Sequence, residues 1–311
     1  VSPSQKRSQQ RRGGRRRDPD AATPRGVRRS PGSYPDKSVR VIYVAAEGGR
    51  TERDYLRQVE KSYGRGDDEQ GVRPFRFHYC DPGHVNGLRP EEAVLQVVAG
   101  ASSPDDEKWA LFDRDSLDNR DAEIPAAMRL AARKGVQVAL SHPSFELWLL
   151  LHFQHFTSQE DGRDDKVKER LRGHKDAQAF REYDTGSGKR GKGLDDEHGA
   201  ALHGREHTAV RNARKLVDAC PHGGCAARTA ATEPIGDAAP EPYGEWTART
   251  GHAPDCDPLR RDPSTDLWRL LVSLGIGTEG SNSKGSTNRR SARDAKKVPH
   301  QGGFAQRQKA D

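Results

Sequence analysis

"SVRVIYVAAEGGRTERDYLRQVEKSY", Ser38–Tyr63, decides the fold class. Val39–Ala46 is short, apolar and rich in β-branched residues, and Gly48-Gly49 closes it. That reads as a buried strand running into a tight turn. Helical spacing follows, with Thr51 placed as an N-cap and Tyr55, Leu56 and Val59 forming one stripe. The same unit recurs downstream. "VRPFRFHYCD" (Val72–Asp81) alternates Phe75, Phe77 and Tyr79 against Arg76, His78 and Cys80, a second strand. "RPEEAVLQVVAGA" (Arg89–Ala101) has proline at a helix start, acids in the first turn and Gly100 at its end. "KWALF" (Lys108–Phe112) reads as the third strand, and Asn119–Lys134 as a helix stopped by Gly135. "VQVALS" (Val136–Ser141) reads as the fourth strand, and "PSFELWLLLHF" (Pro143–Phe153) as an apolar helix. Strand and helix alternating at intervals of roughly 30 residues imply a mostly parallel, Rossmann-like α/β sheet flanked by helices.

Beyond His155 the apolar signal thins. Residues 160–199 are charged and glycine-rich, Arg205–Ala219 is spaced as a helix, and residues 220–261 read as an insertion with little core. "DPSTDLWRLLVSLG" (Asp262–Gly275) holds a short last helix. The expected organisation is a disordered basic tail (1–37), an α/β domain (38–156), a helical, insert-rich part (157–275) and a second disordered basic tail (276–311).

Only 32% of residues are hydrophobic and the mean hydropathy is −0.99, so long solvated stretches are expected. No apolar run approaches the ~20 residues that span a bilayer, and the N-terminal stretch lacks an apolar signal core. A cytoplasmic protein without membrane contact is expected. The chain carries +7, but its first 30 residues carry +8 and its last 31 carry +6, which leaves −7 for residues 31–280. Basic arms on an acidic body suit nucleic-acid backbones, with Arg15, Arg16 and Arg17 as candidate contacts; plain solubilising tails are the alternative.

In an open α/β sheet, functional groups gather at the carboxyl ends of the strands. Glu47 follows the first strand, Asp81 the second, Asp113 and Asp115 the third, and Glu146 opens the helix after the fourth. Residues i and i+2 of a strand face one way, so "FDRD" directs two repelling carboxylates at one place. A shared Mg²⁺ or Mn²⁺ would remove that repulsion and serve phosphoryl chemistry. The bland alternative is a turn that caps the next helix.

Four motifs in order carry a resemblance. "VIYVAAEGGRTERDYL" (Val41–Leu56), "WALFDRD" (Trp109–Asp115), "HPSFELWLLLHF" (His142–Phe153) and "DPSTDLWRLLVSL" (Asp262–Leu274) resemble the RloB-like family. That resemblance implies a TOPRIM-like, Mg²⁺-dependent nuclease of bacterial defence against phage, encoded near restriction systems and working with nucleic acid and a defence partner protein. It implies Glu47 as general acid/base or ligand, Asp113 and Asp115 as Mg²⁺ ligands, and Pro143, Phe145, Glu146 and Trp148 as its Pro-x-Phe-Glu-x-Trp motif. His142 stands where the family often has Asn, and reads as a helix cap more readily than a ligand. Lys189, Arg190 and Lys192 resemble a Tyr-plus-Lys stretch of the family. Lys189 and Arg190 would contact nucleic acid, and Lys192 would stabilise transition-state charge; a solvated loop is the alternative.

Four cysteines remain. Cys80 reads as structural. "CPHGGC" (Cys220–Cys225) and "HAPDC" (His252–Cys256) offer Cys220, Cys225, His252 and Cys256 as one tetrahedral zinc site, although the spacing departs from the common short knuckle. Two other functions compete with the nuclease. A haloacid-dehalogenase-type phosphatase also uses D-x-D, but on its first strand. A non-enzymatic nucleic-acid-binding or sensing subunit would rely on the tails.

Overall fold

In the computed structural model the first strand, β1 (Arg40–Ala46), divides its side chains between two cores. Ile42, Val44 and Ala46 enter one and Ala45 the other. β3 (Glu107–Asp113) repeats the division, with Trp109 and Leu111 on the first side and Ala110 and Phe112 on the second. β4 (Gln137–His142) sends Ala139 to the first and Val138 and Leu140 to the second. A sheet buried on both faces needs apolar residues at every position, so these strands are runs rather than alternations. β2 (Phe75–Tyr79) alternates because it is an edge: Phe75 and Phe77 are buried while Arg76 and His78 are exposed. The structure describes residues 39–69, 72–80, 87–103, 106–114, 121–159, 163–187, 191–232 and 240–278. The expected N-terminal tail, 1–37, and residues 279–311 of the second lie outside these residues; the second tail starts later than expected, because Ile276 is buried in the first core.

The sheet order is β2-β1-β3-β4-β5. The first four strands pair in parallel. A two-residue strand, β5 (Ser264–Thr265), adds antiparallel to β4 and was not legible in the sequence. The order carries a consequence. From β1 the chain goes outward through α1 (Thr51–Tyr63) to β2, then crosses back through α2 (Pro90–Gly100) to β3. The direction of winding therefore reverses between β1 and β3, and a crevice opens beyond their carboxyl ends.

α1 packs on the first face with α4 (Phe145–Leu151), α7 (Glu206–Asp218) and α9 (Leu267–Ser273). α2 and α3 (Glu123–Lys134) cover the second. Short helices α5 (Asp165–Gly173) and α6 (Asp196–Leu202) complete the first side. α8 (Tyr243–Arg249) corrects the expectation of a core-poor insertion: Trp246 is buried in the second core and its indole N–H donates to the Val136 carbonyl at 3.1 Å. α3 runs from Glu123; just ahead of it Asp121 accepts from the Arg114 guanidinium at 2.9 and 3.0 Å, and residue 119 lies outside the described residues.

Every residue of α4 is buried, which explains a helix apolar all round. His152 follows it, fully buried, its Nδ1–H donating to the Trp148 carbonyl at 2.9 Å and its Nε2 facing the Tyr55 hydroxyl at 3.4 Å. Burial pushes its pKa down to about 4. The unfolded chain therefore binds a proton between pH ~6.5 and ~4 that the folded chain refuses, so this contribution to stability is present above that window and lost as pH falls through it. At about pH 5 the loss is roughly 2 kcal/mol. The stability gap between wild type and His152→Gln should narrow by about that much from pH 7.5 to pH 5; a gap independent of pH would show that His152 is not buried neutral.

Candidate functional site

The site grows from the reversal between β1 and β3. Glu47 leaves β1 directly: its N–H donates to the Leu111 carbonyl at 2.8 Å, and its own carbonyl accepts the Leu88 N–H at 3.1 Å. Its carboxylate Oε2 accepts the Asp113 N–H at 3.2 Å. Asp113, last in β3, passes the pattern on, for its Oδ2 accepts the Phe145 N–H at 2.9 Å at the start of α4. Two acids thus terminate a strand and begin a helix, and their partner N–H groups fix both chains.

Glu146, next to Phe145, is buried, and its Oε1 accepts the Tyr183 hydroxyl at 2.9 Å. The Tyr183 oxygen also lies 2.9 Å from Thr51 Oγ1. Tyr183 has one hydroxyl proton and donates it to Glu146, so Thr51 donates to Tyr183. Thr51 is therefore not the cap the sequence suggests. It is the first residue of α1, and its hydroxyl is committed to a tyrosine 132 residues away.

Glu52 adds a fourth carboxylate. It is buried, and its side chain accepts the backbone N–H groups of Gly48 and Glu52. Burial first, and then Glu146, push its pKa up to about 7 against those N–H groups and Lys192. Burial, Glu52 and Glu146 together push Asp113 well above the ordinary carboxylate range. Such mutual repulsion marks carboxylates gathered more closely than the Lys192 charge offsets.

Lys192 supplies one cation at this site. α1 holds the loop that carries it: the Arg50 guanidinium donates to the Lys192 carbonyl at 3.5 Å and the Leu194 N–H donates to Asp54 at 3.1 Å. Partial desolvation works against the ammonium, yet Glu146 nearby, with Asp184 and Asp164, lifts its pKa above the usual lysine value. A second cation, Lys168 of α5, pairs with Asp164 and Asp184 at 2.7 Å each and also acts on Glu146.

Glu47, Glu52, Asp113 and Glu146 offer oxygens alone, which is what Mg²⁺ and Mn²⁺ select. Residues 42–236 match the family model described as "RloB-like protein". The chain belongs to the RloB-like family. No curated protein and no solved structure matches it. In this RloB-like chain the first three of the four motifs lie within or overlap the matched span, while "DPSTDLWRLLVSL" lies beyond it.

Of the residues singled out from sequence, Glu47, Asp113, Glu146 and Lys192 come together. Asp81, Asp115, Lys189, Arg190 and Arg15–Arg17 lie outside the described residues. His142 is not a helix cap in this RloB-like chain. It ends β4, fully buried, and its Nε2 accepts from the Arg114 guanidinium at 2.9 Å; Ser144 precedes α4 instead. Burial and Arg114 push the His142 pKa down to about 3, consistent with a neutral ring. Trp148, Leu149 and Leu150 belong to the first core. Glu52, Tyr183 and Lys168 escaped the reading by sequence. Glu52 alone left a local trace, as an acid in the first turn after Gly48-Gly49. Cys220, Cys225, His252 and Cys256 gather elsewhere, on the segments that follow α7 and α8.

Proposed function

We propose that this protein is a metal-dependent phosphodiesterase acting on nucleic acid, a TOPRIM-like nuclease of bacterial anti-phage defence that works in the cytoplasm. One observation carries the reading: four carboxylates and Lys192 meet at the reversal point of a parallel sheet. Glu47 and Asp113 would hold a Mg²⁺ or Mn²⁺ ion, which would supply the positive charge that polarises a phosphate. The protein's own groups do the rest. Lys192 offers an ammonium to charge that develops on phosphoryl oxygens. Glu52, with its pKa near neutrality, can hold or release a proton at working pH. Tyr183 and Thr51 fix the Glu146 carboxylate in one orientation. Asp113 closes the third strand rather than the first, which argues against the phosphatase reading.

The test is cleavage of labelled DNA and RNA with Mg²⁺ or Mn²⁺, wild type beside Asp113→Asn. Cleavage by wild type alone would establish the nuclease and name its substrate. A second reading, a binding or sensing subunit serving a defence partner, is favoured by the +8 and +6 charge at the two ends. Removing residues 1–37 and 279–311 separates the two. A binding subunit loses nearly all affinity, whereas the enzyme keeps its activity on short substrates.

A further inference from the structure

The cysteines tell a separate story. "CPHGGC" turns sharply because Gly223 and Gly224 take φ of 65° and 71°, left-handed values that carry the chain from Cys220 back to Cys225. The segment then meets the one after α8, where the Ala226 N–H donates to the Gly251 carbonyl at 2.8 Å. Gly251 also has positive φ, and a Cβ there would stand 3.1 Å from the Ala230 side chain. Two tight turns, closed on each other, bring His252 and Cys256 against the two thiols.

The donor atoms of Cys220, Cys225, His252 and Cys256 all lie within 4.8 Å of one another. The Cys220 and Cys256 sulfurs are 3.8 Å apart, and Cys256 Sγ is 3.8 Å from His252 Nδ1. A tetrahedron with Zn–S of about 2.3 Å and Zn–N of about 2.0 Å has S–S edges of about 3.8 Å and S–N edges of about 3.5 Å. The sulfurs are thus at the edge length of a zinc tetrahedron, and well outside the ~2.05 Å of a disulfide.

The surrounding groups fit the same ligand. His252 Nε2 lies 3.2 Å from Asp266 Oδ1, and both side chains are buried. The carboxylate holds the proton on Nε2, which leaves the Nδ1 lone pair aimed at the sulfurs; carboxylate–histidine pairs of this kind orient zinc ligands. The Ala253 N–H donates to Cys225 Sγ at 3.2 Å and fixes its position. His222 is a fifth candidate. Its Nδ1 sits 3.2 Å from Cys220 Sγ and 3.4 Å from Cys256 Sγ, a distance at which an N–H donates to sulfur, and it is not one of the four donors that all lie within 4.8 Å of one another.

We propose that Cys220, Cys225, Cys256 and His252 Nδ1 bind one structural Zn²⁺, with Asp266 and His222 as supporting hydrogen-bond partners. Three thiolates and an imidazole select a soft, tetrahedral ion, and four protein ligands leave no open position for a substrate. The ion joins the end of α7 to the chain after α8. Asp266 links it to β4 by donating its N–H to the Leu140 carbonyl at 2.9 Å. Arg114 donates to the Leu259 carbonyl at 3.0 Å in the intervening 3-10 turn, Pro258–Arg260, so the residue beside Asp113 rests on the stapled segment.

The test is the metal content of the full chain, produced in zinc-supplemented medium and analysed by mass spectrometry. About one zinc per chain is expected in wild type and in His222→Ala. Cys225→Ser and His252→Ala should lose most of it. Refolding with Co²⁺ should give the intense visible bands of a tetrahedral thiolate site, a readout independent of catalysis, and a strong chelator should lower the Tm of wild type. Wild type without zinc, iron in its place, a Cys220–Cys256 disulfide, or zinc kept by His252→Ala but lost from His222→Ala would each overturn the assignment. The metal count does not depend on whether the carboxylate site cleaves nucleic acid, so the two proposals fail separately.

Discussion

Asp113→Asn should melt at a higher temperature than wild type when no divalent ion is present, and should lose nucleolytic activity by at least about 10³-fold. The two effects share one cause. Burial and the charges of Glu52 and Glu146 raise the Asp113 pKa, so its ionised form is a cost to the metal-free fold. Asn keeps an oxygen for the Phe145 N–H, now 2.9 Å from Asp113 Oδ2, so the start of α4 remains capped. Removing the charge should therefore raise the Tm by several degrees. With Mg²⁺ the order should invert: wild type gains stability in proportion to metal occupancy and the variant does not. Thermal melts of both proteins, with chelator and with rising Mg²⁺, check this. A variant that melts lower than wild type under both conditions would make Asp113 a structural residue and sink the metal site.

The four parallel strands and their acidic ends were legible because each signal was local. Buried strands are short apolar runs, and the edge strand shows itself by alternation at Phe75 and Phe77. Glu47, Asp113 and Glu146 stood out as acids directly at a strand end or helix start. What stayed hidden depends on distant contacts. Thr51 looks like a cap until Tyr183 claims its hydroxyl, and Tyr183 gave no local sign of reaching Glu146. β5 is two residues long and pairs only because Asp266 and Thr265 reach back to β4. Trp246 sits in a stretch of low hydropathy, yet one indole bonded to Val136 O anchors the whole segment to α3 and β4. The thiols could be counted in sequence, but only the two left-handed glycine turns show that Cys220 and Cys225 meet His252 and Cys256.

Gly48→Ala should reduce activity by about 10²-fold while leaving the fold intact. A Cβ at Gly48 would lie 2.0 Å from Glu52 Oε2 and 2.3 Å from Oε1, where no real contact falls below 3.0 Å. Glu52 must retreat by at least about 1 Å, and misplacement on that scale is enough to cost two orders of magnitude in an enzyme. Gly48 is not among the left-handed glycines, so alanine adds no backbone strain there. The carboxylate alone is displaced, away from the Gly48 and Glu52 N–H groups that now receive it. Gly173→Ala is the control. It ends α5, a Cβ there meets nothing within 4 Å, and activity should be unchanged. Metal-induced stabilisation should fall in Gly48→Ala alongside activity, because Glu52 acts electrostatically on Asp113 and Glu146. If Gly48→Ala instead kept wild-type rates and a wild-type response to Mg²⁺, Glu52 would be a helix-end acid with no part in the chemistry. The site would then reduce to Glu47, Asp113, Glu146 and Lys192, all of them already candidates from the sequence and its family resemblance.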